Sequence, residues 1–433
     1  MTKKYYLWIL GCQMNYADAE RIVSVLNELG YIKTDEEQQA DLIITVACSV
    51  RQSAIDRVYG KAKIWNKIRK KKRLTTILTG CVLEIDKIKM AKIFDHIFDI
   101  SDLTKLSELL DGKKLTRNIP DGRYLNIEPK HQNHFSAFVP ISTGCENFCT
   151  YCVVPYARGP ETSRSSKKII DECQKLINNG FKEIILLGQN VNSYGHDLSD
   201  GLNFPGLLQK IAKLEGDFWL RFVTSHPKDM SDELIEVIAK NGKICHYIHL
   251  PVQAGDDEIL KKMNRQYAKK HYLNLIEKIR NQIPDVFIST DIIVGFPGET
   301  KKQFQNTAKL MKQAKFNMAY IAQYSPRSGT VAYQLNDDVP KKEKLKRKEA
   351  LEKILKKTAL KQNKLMLGKE VEVLVENTKN NYLIGKSKTY QTVKIKINPI
   401  GKTPNHIGQF VITKITKAKS FGLEGILVKS NQI

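Results

Sequence analysis

Short apolar runs alternate with amphipathic segments through the first three quarters of the chain. Within residues 1–125, three apolar runs with strand character each lead to a cysteine and then to a helical segment, the first over about 18–29. Strands that alternate with helices form parallel sheets, so an N-terminal α/β domain with a parallel sheet is predicted. The three predicted strands cover 5–10, 42–46 and 75–79.

The same alternation continues from about residue 135 to residue 326 with six further apolar strands. Six strand and helix units favour a partial (β/α)6 barrel, an incomplete relative of the eight-stranded TIM barrel. In that architecture functional groups collect at the carboxyl ends of the strands, and here those ends are polar or rich in glycine. The predicted strands cover 138–143, 183–187, 219–223, 247–250, 287–294 and 318–324, and helices are expected over 166–178, 231–239, 269–282 and 300–314.

The last quarter of the chain has two further patterns. Residues 341–365 are helical in pattern and carry eleven Lys or Arg against three Glu, a net charge of 11 − 3 = +8. Apolar residues then recur with period 2 from Gly368 onward, which predicts a small all-β barrel.

Composition and charge narrow the classes of protein that fit these elements. A chain of 433 residues with 42% hydrophobic and 27% charged residues buries real cores, which excludes a disordered chain. The formal net charge of +24 favours a polyanionic partner, above all nucleic acid. No apolar run approaches the roughly 18 to 20 residues of a membrane span, and the run at 5–10 is short for a signal peptide, so a cytoplasmic location is expected.

In the reducing cytoplasm eight cysteines are better explained as metal ligands than as disulfides. Cys145, Cys149 and Cys152 fit one loop around a compact cluster, and soft thiolates select iron-sulfur clusters, Zn or Cu(I). Three thiolates leave one iron of a cubane cluster open to a small molecule. The alternative is a structural zinc site completed by a distant Cys or His.

A second group of cysteines follows the N-terminal strands. Cys12, Cys48 and Cys81 each stand just past a predicted strand, and the carboxyl ends of parallel strands meet at one crevice. A second three-thiolate cluster is therefore predicted, the alternative being three independent core cysteines. Cys173 and Cys245 are interpreted as small buried hydrophobes.

The motifs resemble a known family. The spacing of Cys145, Cys149 and Cys152 resembles the radical S-adenosylmethionine signature, and the whole chain, from Gly11-Cys12-Gln13-Met14-Asn15 onward, resembles radical S-adenosylmethionine methylthiotransferases of the MiaB type. The segments that carry the resemblance are 155–159, 186–195, 224–227, 249–253 and 291–299.

The resemblance implies three domains: an N-terminal methylthiotransferase domain (1–125), a radical barrel (131–365) and a C-terminal TRAM domain that grips tRNA (366–433). It implies two 4Fe-4S clusters and S-adenosylmethionine, with no catalytic side chain because the cofactor delivers the radical. The implied ligands are Cys12, Cys48 and Cys81 for the auxiliary cluster and Cys145, Cys149 and Cys152 for the radical cluster. The implied cofactor contacts are Tyr151, Gln189, Asn190 and Gly295.

It also implies a reaction, in which a methylthio group replaces hydrogen at C2 of N6-isopentenyladenosine at tRNA position 37. One S-adenosylmethionine gives the methyl group and a second gives the 5′-deoxyadenosyl radical. The implied partners are the anticodon stem-loop carrying that nucleoside, a reductase or flavodoxin-type electron donor, and a sulfur donor.

Several alternatives stay open at this point. Related enzymes act on threonylcarbamoyladenosine or on an aspartate of a ribosomal protein, but Gln-Met-Asn after Cys12 resembles the isopentenyladenosine type more closely. A non-catalytic iron-sulfur RNA-binding redox sensor is the alternative from another class. The chain departs from the family at Val46-Ala47, where Asn-Thr usually precedes Cys48. The basic run at 61–73 is either a phosphate-binding surface or a solvated helix face.

Overall fold

Three folded units follow one another along the computed structural model, which describes residues 3–50, 52–112, 115, 119, 122–397 and 406–430. The outer limits of the predicted first and last domains, 1 and 433, lie outside the described residues. In the described part, no helix combines the length and the apolar character that crossing a membrane requires.

The first unit is a five-stranded parallel sheet in the order β2-β1-β3-β4-β5, as the alternating pattern predicts. Central strand β3 is buried along its whole length, as expected for a strand covered on both faces. The strands are β1 (Lys4–Ile9), β2 (Ile32–Lys33), β3 (Leu42–Cys48), β4 (Thr75–Cys81) and β5 (His96–Ile97). The helices are α1 (Gln13–Glu28), α2 (Gln52–Arg69), α3 (Glu84–Met90) and α4 (Leu106–Asp111).

Helix α1 begins at Gln13, so the predicted start near residue 18 is wrong. Cys12 occupies the N-cap position, and Asn15 one turn later accepts a hydrogen bond from the Cys12 backbone N–H at 3.2 Å. An asparagine thus fills the place that Glu or Gln usually takes in a capping box. The capped helix therefore starts directly after the cysteine.

The second unit contains two three-stranded parallel sheets, β10-β9-β6 and β11-β12-β13. A parallel bridge between Leu220 and Ile244 joins them, so the six strands lie side by side in chain order as a partial barrel. Its strands are β6 (Ser136–Pro140), β9 (Glu183–Leu187), β10 (Trp219–Phe222), β11 (Tyr247–His249), β12 (Phe287–Val294) and β13 (Met318–Gln323), and β7 (Ser142–Thr143) pairs with β8 (Thr162–Ser163) beside the cysteine loop.

Helices on the outer face cover this partial barrel, as the α/β pattern predicts. The sequence predictions did not name three of the helices, Val154–Arg158, Phe204–Ala212 and Asp257–Lys262, whose short sequences lack a long apolar period. The helices are α5 (Val154–Arg158), α6 (Ser166–Asn178), α7 (Phe204–Ala212), α8 (Asp232–Lys240), α9 (Asp257–Lys262), α10 (Lys269–Gln282), α11 (Lys301–Ala314) and α12 (Lys341–Lys364).

The third unit is a closed five-stranded barrel in the order β14-β15-β16-β18-β17, which confirms the predicted all-β module. Its interior is filled by alternate Val, Ile and Leu side chains. Only the β16 and β18 pair is parallel. The strands are β14 (Glu370–Lys379), β15 (Tyr382–Ser387), β16 (Thr392–Lys396), β17 (Phe410–Lys419) and β18 (Gly422–Ser430).

The third unit is seated on the partial barrel through aromatic and charged side chains. The rings of Trp219 and Phe410 lie 4.7 Å apart. The fully buried Arg221 guanidinium lies 4.4 Å from the ring of Tyr390 and donates to the Lys388 carbonyl at 3.1 Å. The Tyr390 hydroxyl also accepts a 3.3 Å hydrogen bond from Gln13. All three units therefore meet at one tyrosine.

Candidate functional site

Cys145, Cys149 and Cys152 lie in one loop between β7 and α5. The loop folds back on itself, since the Cys145 N–H donates to the Gly159 carbonyl at 3.2 Å and the Cys152 N–H to the Cys149 carbonyl at 2.9 Å. Gly144 enters the loop with φ +85°, and a Cβ there would stand 1.9 Å from the Pro160 carbonyl oxygen. Only glycine allows this tight entry.

Two neighbouring residues that the sequence analysis did not single out hold this loop from outside. Asn264 donates to the carbonyl oxygens of Asn147 (3.2 Å) and Phe148 (3.0 Å). The buried Arg265 guanidinium lies 3.5 Å from Cys149 Sγ. Both residues follow α9, more than a hundred positions away in the sequence, so no local motif marks them.

The protein alone does not favour the thiolates of Cys145 and Cys152. Burial raises the pKa of Cys145, and it raises the pKa of Cys152 to about 12. Such thiols ionise at neutral pH only when a positive centre stabilises the thiolate, as cluster iron does. Within the described ranges, no three His, Cys, Asp or Glu side chains converge around a single metal ion. A cubane cluster fits this donor set because each thiolate binds a different iron.

The second cysteine group comes from three separate elements of the N-terminal sheet. Cys48 and Cys81 end the neighbouring strands β3 and β4 and are register partners. Cys12 caps α1 beside them, and its thiol donates to Asn15 Oδ1 at 3.4 Å. The Asn15 amide also donates to the Ala47 carbonyl at 3.2 Å, which ties the start of α1 to the end of β3.

A cavity of about 360 Å³ opens beside Cys12 and Cys48. It is bounded by the first turns of α2, including Arg57. Gly80, at φ +109°, brings β4 close to β3, since a Cβ there would stand 2.5 Å from the Ala47 carbonyl oxygen. The three thiols and the adjoining space suit a group larger than one ion, as a 4Fe-4S cluster is.

A buried arginine lies between the two cysteine groups. Arg158 of α5 donates to Asp18 Oδ2 at 2.6 Å and to the Tyr124 hydroxyl at 3.3 Å. The bond to Asp18 joins α5, the helix after the loop of Cys145, Cys149 and Cys152, to α1. The Cys48 thiol and the Arg158 guanidinium together lower the pKa of Cys81 below the usual value of a thiol. Cys81 is in turn among the groups that raise the pKa of Cys152. The two cysteine groups therefore lie within each other's electrostatic field.

The structure assigns definite partners to two of the four predicted cofactor contacts. Gln189 Oε1 accepts a 2.6 Å hydrogen bond from the Gly144 N–H, immediately before Cys145. Asn190 is buried and donates to Asp229 at 2.7 Å. Asn190 also lines a polar cavity of about 610 Å³ that reaches Glu146 of the cysteine loop. Both amides therefore border the loop from the end of β9.

The other two predicted contacts have different surroundings. Tyr151 is partly buried and packs against an apolar cluster that includes Met263 and Phe296. Gly295 has φ +69° and donates its N–H to Glu299 Oε2 at 2.7 Å. Gly295 thereby fixes the turn after β12, at the carboxyl edge of the barrel.

Cys173 and Cys245 lie apart from both groups, as predicted. Cys173 is buried within α6, and Cys245 is buried next to Trp219 and Phe410 at the seat of the C-terminal barrel. Burial raises the pKa of both thiols, to about 11 for Cys245. They behave as apolar packing groups.

Comparison with known proteins matches all three units. Residues 139–311 match the Radical SAM superfamily, residues 4–100 match Uncharacterized protein family UPF0004, and residues 364–428 match the TRAM domain. Among solved structures, the radical S-adenosylmethionine methyltransferase TsrM from Kitasatospora setae, with cobalamin and a [4Fe-4S] cluster bound, has a TM-score of 0.53 at 14% identity. The alignment covers 77% of each chain, and the similarity concerns the fold alone.

The curated relatives are similar from end to end. The tRNA-2-methylthio-N(6)-dimethylallyladenosine synthase of Caldicellulosiruptor saccharolyticus is 43% identical over 99% of this chain and 93% of its own length. The enzymes of the same name from Clostridium botulinum strain Langeland (43%) and Carboxydothermus hydrogenoformans (40%) each cover 98% of this chain, and 96% and 99% of their own lengths. The chain therefore belongs to the family of tRNA-2-methylthio-N(6)-dimethylallyladenosine synthases, which are radical S-adenosylmethionine methylthiotransferases that act on tRNA.

Proposed function

We propose that this chain converts N6-isopentenyladenosine at tRNA position 37 to its 2-methylthio derivative. The observation that carries this proposal is the pair of three-cysteine groups with Arg158 between them, in a chain related along its whole length to synthases of that name. An aromatic C–H bond has no useful acidity, and bound S-adenosylmethionine supplies the radical chemistry that such a bond needs. The contribution of the chain is binding and orientation.

The proposed metal ligands are Cys12, Cys48 and Cys81 for the auxiliary cluster and Cys145, Cys149 and Cys152 for the radical cluster. Asn264 and Arg265 support the proposal because both contact residues 145–152, the segment that we call the radical loop. The proposed cofactor contacts are Tyr151, Gln189, Asn190 and Gly295. We assign these roles to domains spanning 1–125, 131–365 and 366–433.

The tRNA-binding side of the proposal rests on charge. Helix α12 is strongly basic, and the C-terminal barrel carries eleven Lys against four Glu, a net charge of 11 − 4 = +7. Phosphates of an anticodon stem-loop suit such a surface, and unstacked loop bases are the usual targets of RNA-modifying sites. A reductase or flavodoxin-type protein is the proposed electron donor, a separate molecule is the sulfur donor, and the cytoplasm is the proposed compartment.

Nucleoside mass spectrometry tests the proposal. Anaerobically reconstituted protein is incubated with reductant, S-adenosylmethionine and tRNA that carries either isopentenyladenosine or threonylcarbamoyladenosine. We expect the methylthio product only on isopentenyladenosine, together with 5′-deoxyadenosine. Methylthio product on threonylcarbamoyladenosine would show that the proposed substrate is wrong. If S-adenosylmethionine stayed intact in every reaction, the result would favour a redox sensor instead of an enzyme.

A further inference from the structure

Arg327 reaches from the partial barrel into the N-terminal unit. It follows β13 and is 95% buried, with an exposed fraction of 5%. Its Nη2 donates to Asp86 Oδ2 at 3.0 Å, and its Nη1 donates to the side chain of Gln52 at the start of α2. A single guanidinium thus bonds two elements of the other unit.

Asp86 connects Arg327 to the ends of β3 and β4, the two strands that end in Cys48 and Cys81. Its Oδ2 accepts a 2.6 Å hydrogen bond from the hydroxyl of Ser49, the residue after Cys48. Ser49 Oγ accepts the Leu83 N–H at 3.1 Å, and the Ser49 N–H donates to the Cys81 carbonyl at 2.7 Å. One carboxylate and one hydroxyl therefore hold the ends of β3 and β4 together and bind them to Arg327.

This ion pair differs from the ion pairs at the surface. Exposed pairs contribute little because water screens them, whereas a buried charge that loses its partner is left uncompensated. The side chains of Arg327 and Asp86 are 6% and 9% exposed. Losing either partner would therefore leave the other charge buried without compensation.

Two buried arginines of the barrel thus fix the N-terminal unit at separate points. Arg158 binds Asp18 of α1, and Arg327 binds Asp86 beside the cysteine strands. These two pairs add polar contacts at separate places to an interface that also buries apolar side chains, among them Ile185 and Leu187 of the barrel. The second contact is the one that reaches Ser49, next to Cys48.

We propose that Arg327 is a positioning residue, which acts through Asp86 and Ser49 to set the placement of Cys48 and Cys81 relative to the radical loop. This inference rests on the proposed function, because its main readout is the methylthio product. A misplacement of about 1 Å between reacting groups costs as much as about a hundredfold in rate. Losing Arg327 should therefore uncouple cofactor cleavage from product formation.

The test compares Arg327→Gln, Asp86→Asn and Ser49→Ala in the reconstituted full chain with tRNA. We expect 5′-deoxyadenosine to form at the wild-type rate and both clusters to be retained by iron content. The methylthio product per 5′-deoxyadenosine should fall by about tenfold to a hundredfold in the first two variants. Ser49→Ala, which removes one hydroxyl and is the variant least able to disturb folding, should give a smaller fall.

Lys87→Gln is the matched control. Lys87 also pairs with a carboxylate, Asp99 at 2.6 Å, and with Glu84 at 3.1 Å, but these partners belong to the N-terminal unit. This variant should keep the wild-type product ratio even where it lowers thermal stability. The Arg327→Gln and Asp86→Asn double variant should be no worse than either single one, because residues in one network are not additive.

Pulsed electron paramagnetic resonance gives a readout independent of activity. The spin coupling between the two reduced clusters should be weaker or more dispersed in Arg327→Gln than in the wild type. An unchanged product ratio with unchanged spin coupling would overturn the inference, and so would a ratio that falls only in proportion to lost iron. If the wild type itself makes no methylthio product, the proposed function fails instead.

Discussion

The two cysteine groups are built in opposite ways. Cys145, Cys149 and Cys152 lie within eight consecutive residues, on a loop whose own backbone bonds close it. Cys12, Cys48 and Cys81 come from a helix cap and two strand ends, and only the folded sheet brings them together. The first group therefore depends on loop geometry, and the second depends on the register of a parallel sheet.

This difference predicts which cysteine group is less affected by substitutions in other parts of the molecule. The loop is braced by Asn264 and Arg265 from the barrel itself. The sheet group relies on Asn15 within its own unit and on Arg158 and Arg327 from the barrel. Changes outside the loop should therefore impair the auxiliary group before the radical group.

The largest expected effect is that of Cys149→Ala. Removing one of three thiolates leaves the radical cluster without a stable set of ligands, so 5′-deoxyadenosine and methylthio product should both disappear. Iron at the N-terminal group should remain at about half of the total, since that group shares no ligand with the loop. Anaerobic turnover with iron and sulfide quantification measures this, and 5′-deoxyadenosine at the wild-type yield would refute the ligand assignment.

Cys48→Ala should impair the auxiliary cysteine group and leave the radical group intact. The radical loop stays intact, so cofactor cleavage should continue while methylthio product is lost. Product analysis beside 5′-deoxyadenosine in the same reaction measures the split. Cys173→Ala is the control, because that buried thiol lies in α6 and touches neither group. Undiminished product from Cys48→Ala would remove the auxiliary cluster from the mechanism.

The smallest effect is expected from Asn15→Ala. It removes the acceptor for the Cys12 N–H and the donor to Ala47, and a hydrogen bond of this kind contributes about 1 kcal/mol. The thermal midpoint should fall by a few degrees, and the N-terminal group should lose iron faster to a chelator than the wild type does. Measuring iron loss in a Cys149→Ala background isolates that group. Equal rates of iron loss would show that Asn15 does not hold Cys12 in place.

Sequence pattern alone predicted much of the scaffold. The strands at 183–187 and 287–294 have the predicted bounds, and a glycine, Gly188 or Gly295, marks the end of each one. The start of α1 was predicted five residues late because a cysteine is an unusual N-cap. The two cysteine groups themselves followed from spacing and from strand-end placement.

The residues that support the cysteines could not be predicted in this way. Arg265 meets Cys149 across 116 positions, and Arg327 meets Asp86 across 241 positions. Such contacts depend on how whole units pack, and no local period or motif encodes that packing. Gln189 was named because segment 186–195 resembles the family, but its bond to the Gly144 N–H required the loop's folded shape.

The contact surface between the partial barrel and the C-terminal barrel limits how the chain can be shortened. Trp219 and Cys245 are covered by Phe410, and Arg221 donates to a carbonyl of the same module. A chain that ended at Leu365 would expose Trp219 and its apolar neighbours to water, and exposed apolar surface favours aggregation. If such a fragment lost activity, the cause could be damage to the partial barrel or loss of RNA binding. Substitutions on the outer face of the C-terminal barrel would change RNA binding alone and so distinguish the two causes.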